Sequence, residues 1–576
     1  VIVYGDHAER VDTRERLAEL AEGRERVLAM PPGLARHAAL VGLFVDAAGL
    51  AQGVADALFA ADGVDRPSEA QDACLAILLP LAAAVRTSWD TGFESIGVLP
   101  ESAAAAPLPD TVDVRLPEGY AFYALYPEAY IEAARDLRLA EPLRVIGIRS
   151  IGVGLATLVA VALGAPPPVT LRPVGHPFDR RVDVAPTLAA ELLSPPSATY
   201  VIVDEGPGLS GSSFGAVADF LERNGVPPDR IAFLSGHGGD LGPQAGERHR
   251  ARWATARRRS ADAEAFLTDH LAGWAAESLG GLDAPLEDIA GGGWRRRLYA
   301  DEADWPAVNP MWERHKRLAR SCGETWLLKF AGLGRIGERR LARARALHAC
   351  GYAPEPRGLV HGFLVEQWMD GASPLDRAAV PGDERMRMVA GYLGLRSRLF
   401  AASNAAGASL AELLAMARFN TLRSLGADRA AALDRWRPRL ADLGARVKRI
   451  ETDNRCLAHE WLRAADGRLL KADGLDHHAS HDLIGCQDIA WDVVGASFDL
   501  DLPPEALAAA VERAGGRRPD DELMAFLAPC YLAFRIGWHR LAAESLGGWP
   551  DERRRNEAAA EAHAARLGRL LDERAG

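Results

Sequence analysis

The sequence predicts an α/β domain built on a parallel sheet, joined to a second α+β module and preceded by a helical segment. Three observations carry that prediction. Two stretches, Arg144-Val-Ile-Gly-Ile-Arg-Ser-Ile-Gly-Val-Gly-Leu-Ala156 and Tyr200-Val-Ile-Val-Asp-Glu-Gly-Pro-Gly-Leu-Ser-Gly-Ser-Ser-Phe214, each read as a buried strand, a small-residue loop and a helix start. A later apolar strand, Thr325-Trp-Leu-Leu-Lys-Phe330, carries one lysine in a chain that has only four. Before both modules, Thr13–Leu20 and Leu40–Ala48 place apolar residues at mixed i+3 and i+4 steps, as amphipathic helices do.

At 576 residues the chain is long enough for three or four domains. It begins at Val1, and residues preceding it are expected. No apolar run free of charge reaches membrane-spanning length and no secretory signal is visible, so no membrane partner is expected. The six cysteines are dispersed without metal-ligand spacing, which suits a reducing cytoplasm. A net charge of -12 argues against nucleic acid as the main partner. The basic run Arg248–Arg252 with Arg257–Arg259 reads as a solvated face.

Residues 1–105 form a helical region without a catalytic constellation, suited to a cap or a dimer contact, and a homo-oligomer is compatible with it. Residues 106–242 hold the parallel-sheet domain. Its central stretch ends a strand in Asp204 and Glu205, and a Gly-Pro-Ser loop then opens a helix. Unpaired N–H groups at a helix start, with the positive end of its dipole, receive a phosphate, and the serine hydroxyls add donors. Some fifty residues upstream, Arg149, Ser150, Ile151 and Gly152 form the tip of the other loop. Between the two, Arg172, His176, Arg180 and Arg181 offer cations, and His237 follows at the end of a later strand.

This domain resembles the type I phosphoribosyltransferases, whose signature places two acidic residues before a Ser/Thr-Gly loop. The resemblance implies that Asp204 and Glu205 hold the ribose hydroxyls of phosphoribosyl pyrophosphate and are central to catalysis. It also implies that Ser210, Gly211, Ser212 and Ser213 wrap the 5′-phosphate. The loop Arg149–Gly152 would hold the pyrophosphate with Mg2+, and the cationic interval 169–181 would be the family's mobile loop. Gly206-Pro-Gly-Leu209 puts four residues between acidic pair and Ser-Gly element, one more than usual.

Residues 243–310 read as a linker with helices, and 311–576 as the second module. There, the lysine strand is followed by Gly332-Leu-Gly-Arg-Ile-Gly337, a helix from Glu338, Gly351-Tyr-Ala-Pro354 and the strand Gly362–Gly371. This run resembles the N-terminal lobe of the aminoglycoside-phosphotransferase-like kinases, a two-lobed fold. The resemblance implies that Lys329 grips ATP phosphates, that Glu338 orients it, and that Glu366 to Met369 form the adenine hinge. It places Asp473 and Asp476 as Mg2+ ligands and aligns Asp488 and Asp492 with the segment that follows the metal aspartate. Where the family has His-Gly-Asp and a following Asn, this chain has His459-Glu460-Trp461, with Glu460 in the catalytic carboxylate's role. The cluster Asp476, His477, His481 and Asp482 is compatible with a metal site or with a hydrogen-bonded loop.

Three functions follow from these patterns. The first is a phosphoribosyltransferase-type enzyme fused to an ATP-binding kinase-like domain, working in two steps on a small molecule. The second is a small-molecule kinase with a ligand-binding phosphoribosyltransferase-like domain, and the third a non-catalytic, ligand-sensing regulator.

Overall fold

The computed structural model describes residues 6–99, 107–208, 210–242, 245–479 and 484–573. Leu209, His481, Asp482 and the expected strand Val1–Tyr4 lie outside the described residues. Three helices, Thr13–Ala29, Leu34–Asp62 and Glu69–Asp90, open the chain. Asp12 caps the first by accepting from the N–H groups of Arg14 and Glu15. Two of the three, Leu34–Asp62 and Glu69–Asp90, are long and apolar enough to cross a membrane by length and composition, against the expectation that no apolar run reaches that length. The first has 78% of its apolar window buried inside this fold and serves as a core helix. Its Gly42 lies against Gly334 of the C-terminal half so closely that a Cβ on Gly42 would sit 2.7 Å from the Gly334 Cα.

Five parallel strands form the sheet of the first domain. In chain order they are Leu143–Ile148, Val169–Leu171, Thr199–Val203, Ile231–Ser235 and Arg257–Ser260. In space the second lies outside the first, and the third, fourth and fifth follow on the other side. The strands Thr199–Val203 and Ile231–Ser235 are buried throughout, which is why they read as unbroken apolar runs. The strand order reverses between Leu143–Ile148 and Thr199–Val203. At such a switch point the loops leave the carboxyl ends of neighbouring strands in opposite directions and open a crevice for a ligand. The two loops singled out in the sequence both start there. From the sheet edge a hairpin, Pro173–His176 with Asp179–Val182, folds back so that its turn meets the serine loop.

The C-terminal half begins with an antiparallel sheet of five strands. Its spatial order is Glu287–Asp288, Lys316–Ser321, Glu324–Phe330, Phe363–Gln367 and Pro356–Val360. The helix Arg335–Ala349 crosses this sheet, and a small sheet with Trp461–Arg463 and Leu469–Lys471 faces it across a cleft. Long helices close the far side, notably Ile489–Leu500, Asp521–Ser545 and Pro550–Glu573. The interval 243–310 is folded into both halves: Arg257–Ser260 is the last strand of the parallel sheet, and Glu287–Asp288 is the first of the antiparallel one. The sequence reading missed these strands because one is arginine-rich and the other is two residues long.

Candidate functional site

The cleft of the C-terminal half encloses a cavity of about 390 Å3. Lys329, Trp368, Glu460 and Asp473 line it, with Trp294 and Arg535 from the segments that cover it. Strand alternation turns Lys329 inward, where its Nζ donates to Asp473 Oδ1 at 2.5 Å. Burial lowers the Lys329 ammonium against the opposing pull of Asp473. Burial would raise the Asp473 carboxyl, but Lys329 and His477 hold it well below the usual carboxylate range.

Glu338 does not orient Lys329. It sits on the exposed outer face of the helix Arg335–Ala349, because the inward face of that helix carries Arg340 and Arg343. Arg340 Nε stands 2.8 Å from Asp476 Oδ2, and Arg314 engages the same oxygen. Asp476 is therefore clamped by two guanidinium groups, though it still lies with Asp473 and His477 in a group that could hold a metal ion; Asp473 is the carboxylate that faces the lysine. Glu366 is buried opposite Leu327, on the sheet face that carries Lys329. Burial pushes its carboxyl up to about 7, with Lys329 opposing. Trp368 lines the cavity, whereas Met369 turns into a neighbouring recess with Arg297 and Asp370.

Glu460 is on the cavity wall, and its Oε2 accepts from Lys471 Nζ at 2.7 Å. Lys471 also donates to the Asp473 carbonyl and lies 3.3 Å from Asp453 Oδ2. Asp453 is fully buried behind Glu460 and accepts from the Tyr392 hydroxyl. Its backbone is fixed by Asp492, whose two oxygens accept from the N–H groups of Asp453 and Asn454 at 2.8 Å each. Asp488, by contrast, caps the helix Ile489–Leu500 and pairs with Arg517. His477 closes the cluster, with Nδ1 3.0 Å from the Asp453 carbonyl and Nε2 3.6 Å from Asp473. Sequence reasoning missed Asp453 and Lys471. The scarcity of lysine was the available signal: three of the four lysines, Lys316, Lys329 and Lys471, converge on this cleft.

The segment between Asp288 and Lys316 spans the mouth of the cleft. Trp294 stacks on His459 at 5.8 Å, and its Nε1 donates to Glu313 Oε1 at 2.7 Å. Arg295 pairs with Glu552 at 2.7 Å, which ties the segment to the last helix. Burial, then the neighbouring Arg535 and Lys471, push the His459 ring down to about 3, so it is neutral at physiological pH.

A second site lies at the switch point of the parallel sheet. Asp204 and Glu205 occupy the crevice, half-buried; the Glu205 N–H donates to Asp204 Oδ1 at 2.9 Å and the Gly119 N–H to Glu205 Oε2 at 3.0 Å. Burial raises Asp204 to about 7, against its bond from the Glu205 N–H and the charge of Arg180. Burial, then the like charges of Asp204 and Glu118, raise Glu205 to about 8. The pair therefore retains a proton near neutrality and can both donate and accept hydrogen bonds.

Ser210 and Ser212 donate their hydroxyls to the Pro177 carbonyl at 3.1 and 2.7 Å, while Gly211, in the left-handed region, precedes the helix Ser212–Arg223 on which Ser213 is the second residue. Ser150, Ile151 and Gly152 turn into the helix Gly152–Leu163 beside this crevice. Arg149 does not point to the loop tip. Its buried guanidinium is held by Asp65, by Asp56 at 2.9 Å and by the Thr170 carbonyl at 3.1 Å. It is a structural tie to the helix Leu34–Asp62, not a pyrophosphate ligand. Arg149→Ala leaves Asp65 buried without its cation, and a loss of about 3–5 kcal/mol is expected. A marked fall in melting temperature would register it; a variant melting with the wild type would restore the ligand role. Of the other cations, Arg172 is 3.3 Å from Asp56 and Arg181 3.2 Å from Asp183. Arg180 is the one whose charge reaches Asp204, and His237 is exposed.

No family model matches the chain, and no curated protein matches it. Among solved structures it is similar to choline kinase LicA from Streptococcus pneumoniae, at 14% identity and a TM-score of 0.34 over 52% of this chain and 99% of that one. It is also similar to a choline/ethanolamine kinase family protein from Mesorhizobium loti, at 18% identity and a TM-score of 0.34 over 53% of this chain and 95% of that one. A macrolide 2′-phosphotransferase, MphH from Brachybacterium faecium, matches at 19% identity and a TM-score of 0.32, over 51% and 98% of the two chains.

Proposed function

We propose that the C-terminal half transfers the γ-phosphoryl group of ATP to a hydroxyl of a small molecule, and that the parallel-sheet half binds a sugar phosphate of the phosphoribosyl pyrophosphate class. The observation that carries the first reading is the convergence of Lys329, Asp473 and Glu460 on one covered cavity. Phosphoryl transfer asks little covalent chemistry of a protein; it asks for positioned cations and carboxylates in a site shielded from water. Lys329 would leave Asp473 for the nucleotide phosphates, with the base beside Trp368. Glu460, oriented by Lys471 at 2.7 Å, would accept the proton of the acceptor hydroxyl. The Lys329 ammonium on Asp473 Oδ1 marks a position that favours a cation, and its hard oxygens suit magnesium. Asp473 would hold the magnesium of MgATP, which when bound neutralises charge on the phosphates.

The second reading rests on the switch point, which sets the acidic pair, the serine loop and the loop Ser150–Gly152 around one crevice. There Asp204 and Glu205 would hold vicinal ribose hydroxyls, and the start of the helix Ser212–Arg223 would receive the 5′-phosphate. A two-step enzyme gives the fusion a reason: the product of one site carries the hydroxyl or phosphate that the other uses.

Ligand-induced thermal stabilisation tests each site separately, because the shift grows with occupancy of the folded state. MgATP is expected to raise the melting temperature of the wild type but not of Lys329→Ala. A wild type indifferent to saturating MgATP would sink the kinase reading.

A further inference from the structure

Away from both sites, three side chains from distant parts of the chain meet in the interior. His37 comes from the first turns of the helix Leu34–Asp62, Glu128 from the start of the helix Pro127–Arg135, and His361 from the turn between Pro356–Val360 and Phe363–Gln367. They are 0%, 0% and 2% exposed. His37 Nε2 lies 2.6 Å and His361 Nε2 2.9 Å from the same oxygen, Glu128 Oε1. Their surroundings are aromatic: Phe93 is 4.7 Å and Trp274 4.9 Å, ring to ring, from His37 and His361 respectively.

This is an expensive place for a lone carboxylate. An ionised group in an apolar interior needs a countercharge, and no lysine or arginine contacts Glu128 among the described residues. Its second oxygen, Oε2, is buried and has no hydrogen-bond partner at all. Two imidazole nitrogens and a carboxylate oxygen lying within 4.8 Å of one another make up a set of metal ligands. His37 also has the support such a ligand requires: its Nδ1 is 2.9 Å from Ser88 Oγ, which fixes the ring and leaves Nε2 as the ligating atom.

We propose that His37, Glu128 and His361 bind one first-row divalent transition metal, zinc by ligand preference. The cation would supply the missing countercharge and engage the idle Glu128 oxygen. Tetrahedral ligands about 2.0–2.1 Å from zinc stand roughly 3.3 Å apart, so the His37 ring, at 2.6 Å, would withdraw by about 0.7 Å and the His361 ring, at 2.9 Å, by about 0.4 Å. The metal would act as a clasp. It joins the N-terminal helices, the parallel-sheet domain through Glu128, and the kinase-like sheet through His361, whose carbonyl also accepts from the Tyr126 hydroxyl at 2.8 Å. The same aromatic segment contacts both halves: Gly119 donates to Glu205, and Tyr120 accepts from the Leu333 N–H at 3.1 Å. The clasp does not depend on what either site does.

The test is metal content by inductively coupled plasma mass spectrometry on the full-length, tag-free protein, dialysed without chelator. About one zinc, or another first-row divalent metal, per chain is expected, retained in Asp473→Asn and lost in His37→Gln with His361→Gln. Treating the wild type with a strong chelator should lower its melting temperature, and adding zinc back should restore it. The wild-type measurements stand even where the double variant fails to fold. A metal-free wild type, unmoved by zinc and chelator, would mean that the cluster is a hydrogen-bonded histidine–carboxylate group and would overturn the proposal. So would a metal that is lost in Asp473→Asn instead.

Discussion

Asp473→Asn is expected to reduce phosphoryl transfer by at least ~10³-fold while leaving the fold intact, since removing one preorganised charge from a water-shielded phosphoryl site costs that order. The substitution keeps the size of the side chain but removes the charge that holds Lys329 at 2.5 Å and would hold magnesium. Two other carboxylates provide a contrast. Glu460→Gln should lower the rate while largely sparing ATP binding, because its partner Lys471 remains charged and Asp473 remains on Lys329. Glu338→Ala should leave the rate near that of the wild type, because Glu338 is exposed on the far face of its helix. Initial rates of ADP release with saturating acceptor separate the three. Glu338→Ala falling as far as Asp473→Asn would show that the helix turns inward on nucleotide binding, contrary to the arrangement described here.

The second large effect concerns the switch-point crevice. Asp204→Asn with Glu205→Gln is expected to abolish stabilisation by magnesium phosphoribosyl pyrophosphate and, in the absence of ligand, to stabilise the protein at alkaline pH. The sign follows from the raised carboxyls. Unfolded Asp and Glu titrate near 3.9 and 4.3, whereas the folded pair titrates at about 7 and 8. The folded state thus binds protons more tightly, so this contribution to stability is fully present below about pH 4 and is lost as the pH rises towards 8. The neutral amides do not carry that loss. At pH 8 the double variant should melt on the order of 2 °C or more above the wild type, and the two should converge only below about pH 4. A variant that melts below the wild type at pH 8 and still responds to the sugar phosphate would contradict both the burial of the pair and its role.

How much of this was legible beforehand varies with the physics of each element. The strands around Ile202 and Ile146 are buried on both faces, so they wrote themselves into the sequence as apolar runs with small-residue loops behind them. Lys329 was legible for the opposite reason: a cation within an apolar strand needs a purpose. Tertiary pairings left weaker marks. Nothing local distinguishes Arg149, anchored by Asp56 and Asp65 from a distant helix, from an arginine at a loop tip. Helical periodicity could not show whether Glu338 or Arg340 faces the cleft, because that helix carries charge on both sides. Asp453 lacks the flanking residues of the resembled motif, and its position behind Glu460 emerges only from the Asp492 and Lys471 contacts. His37, Glu128 and His361 are separated by up to 324 positions and had no sequence signal at all.

The most direct measurement of the central claim is a crystal structure of the protein grown with magnesium and a non-hydrolysable ATP analogue. The base is expected beside Trp368 in the cavity under Trp294, the phosphates on Lys329 and the metal on Asp473. An analogue found instead at the Ser210–Ser213 loop, or absent from the cavity at saturating concentration, would contradict it.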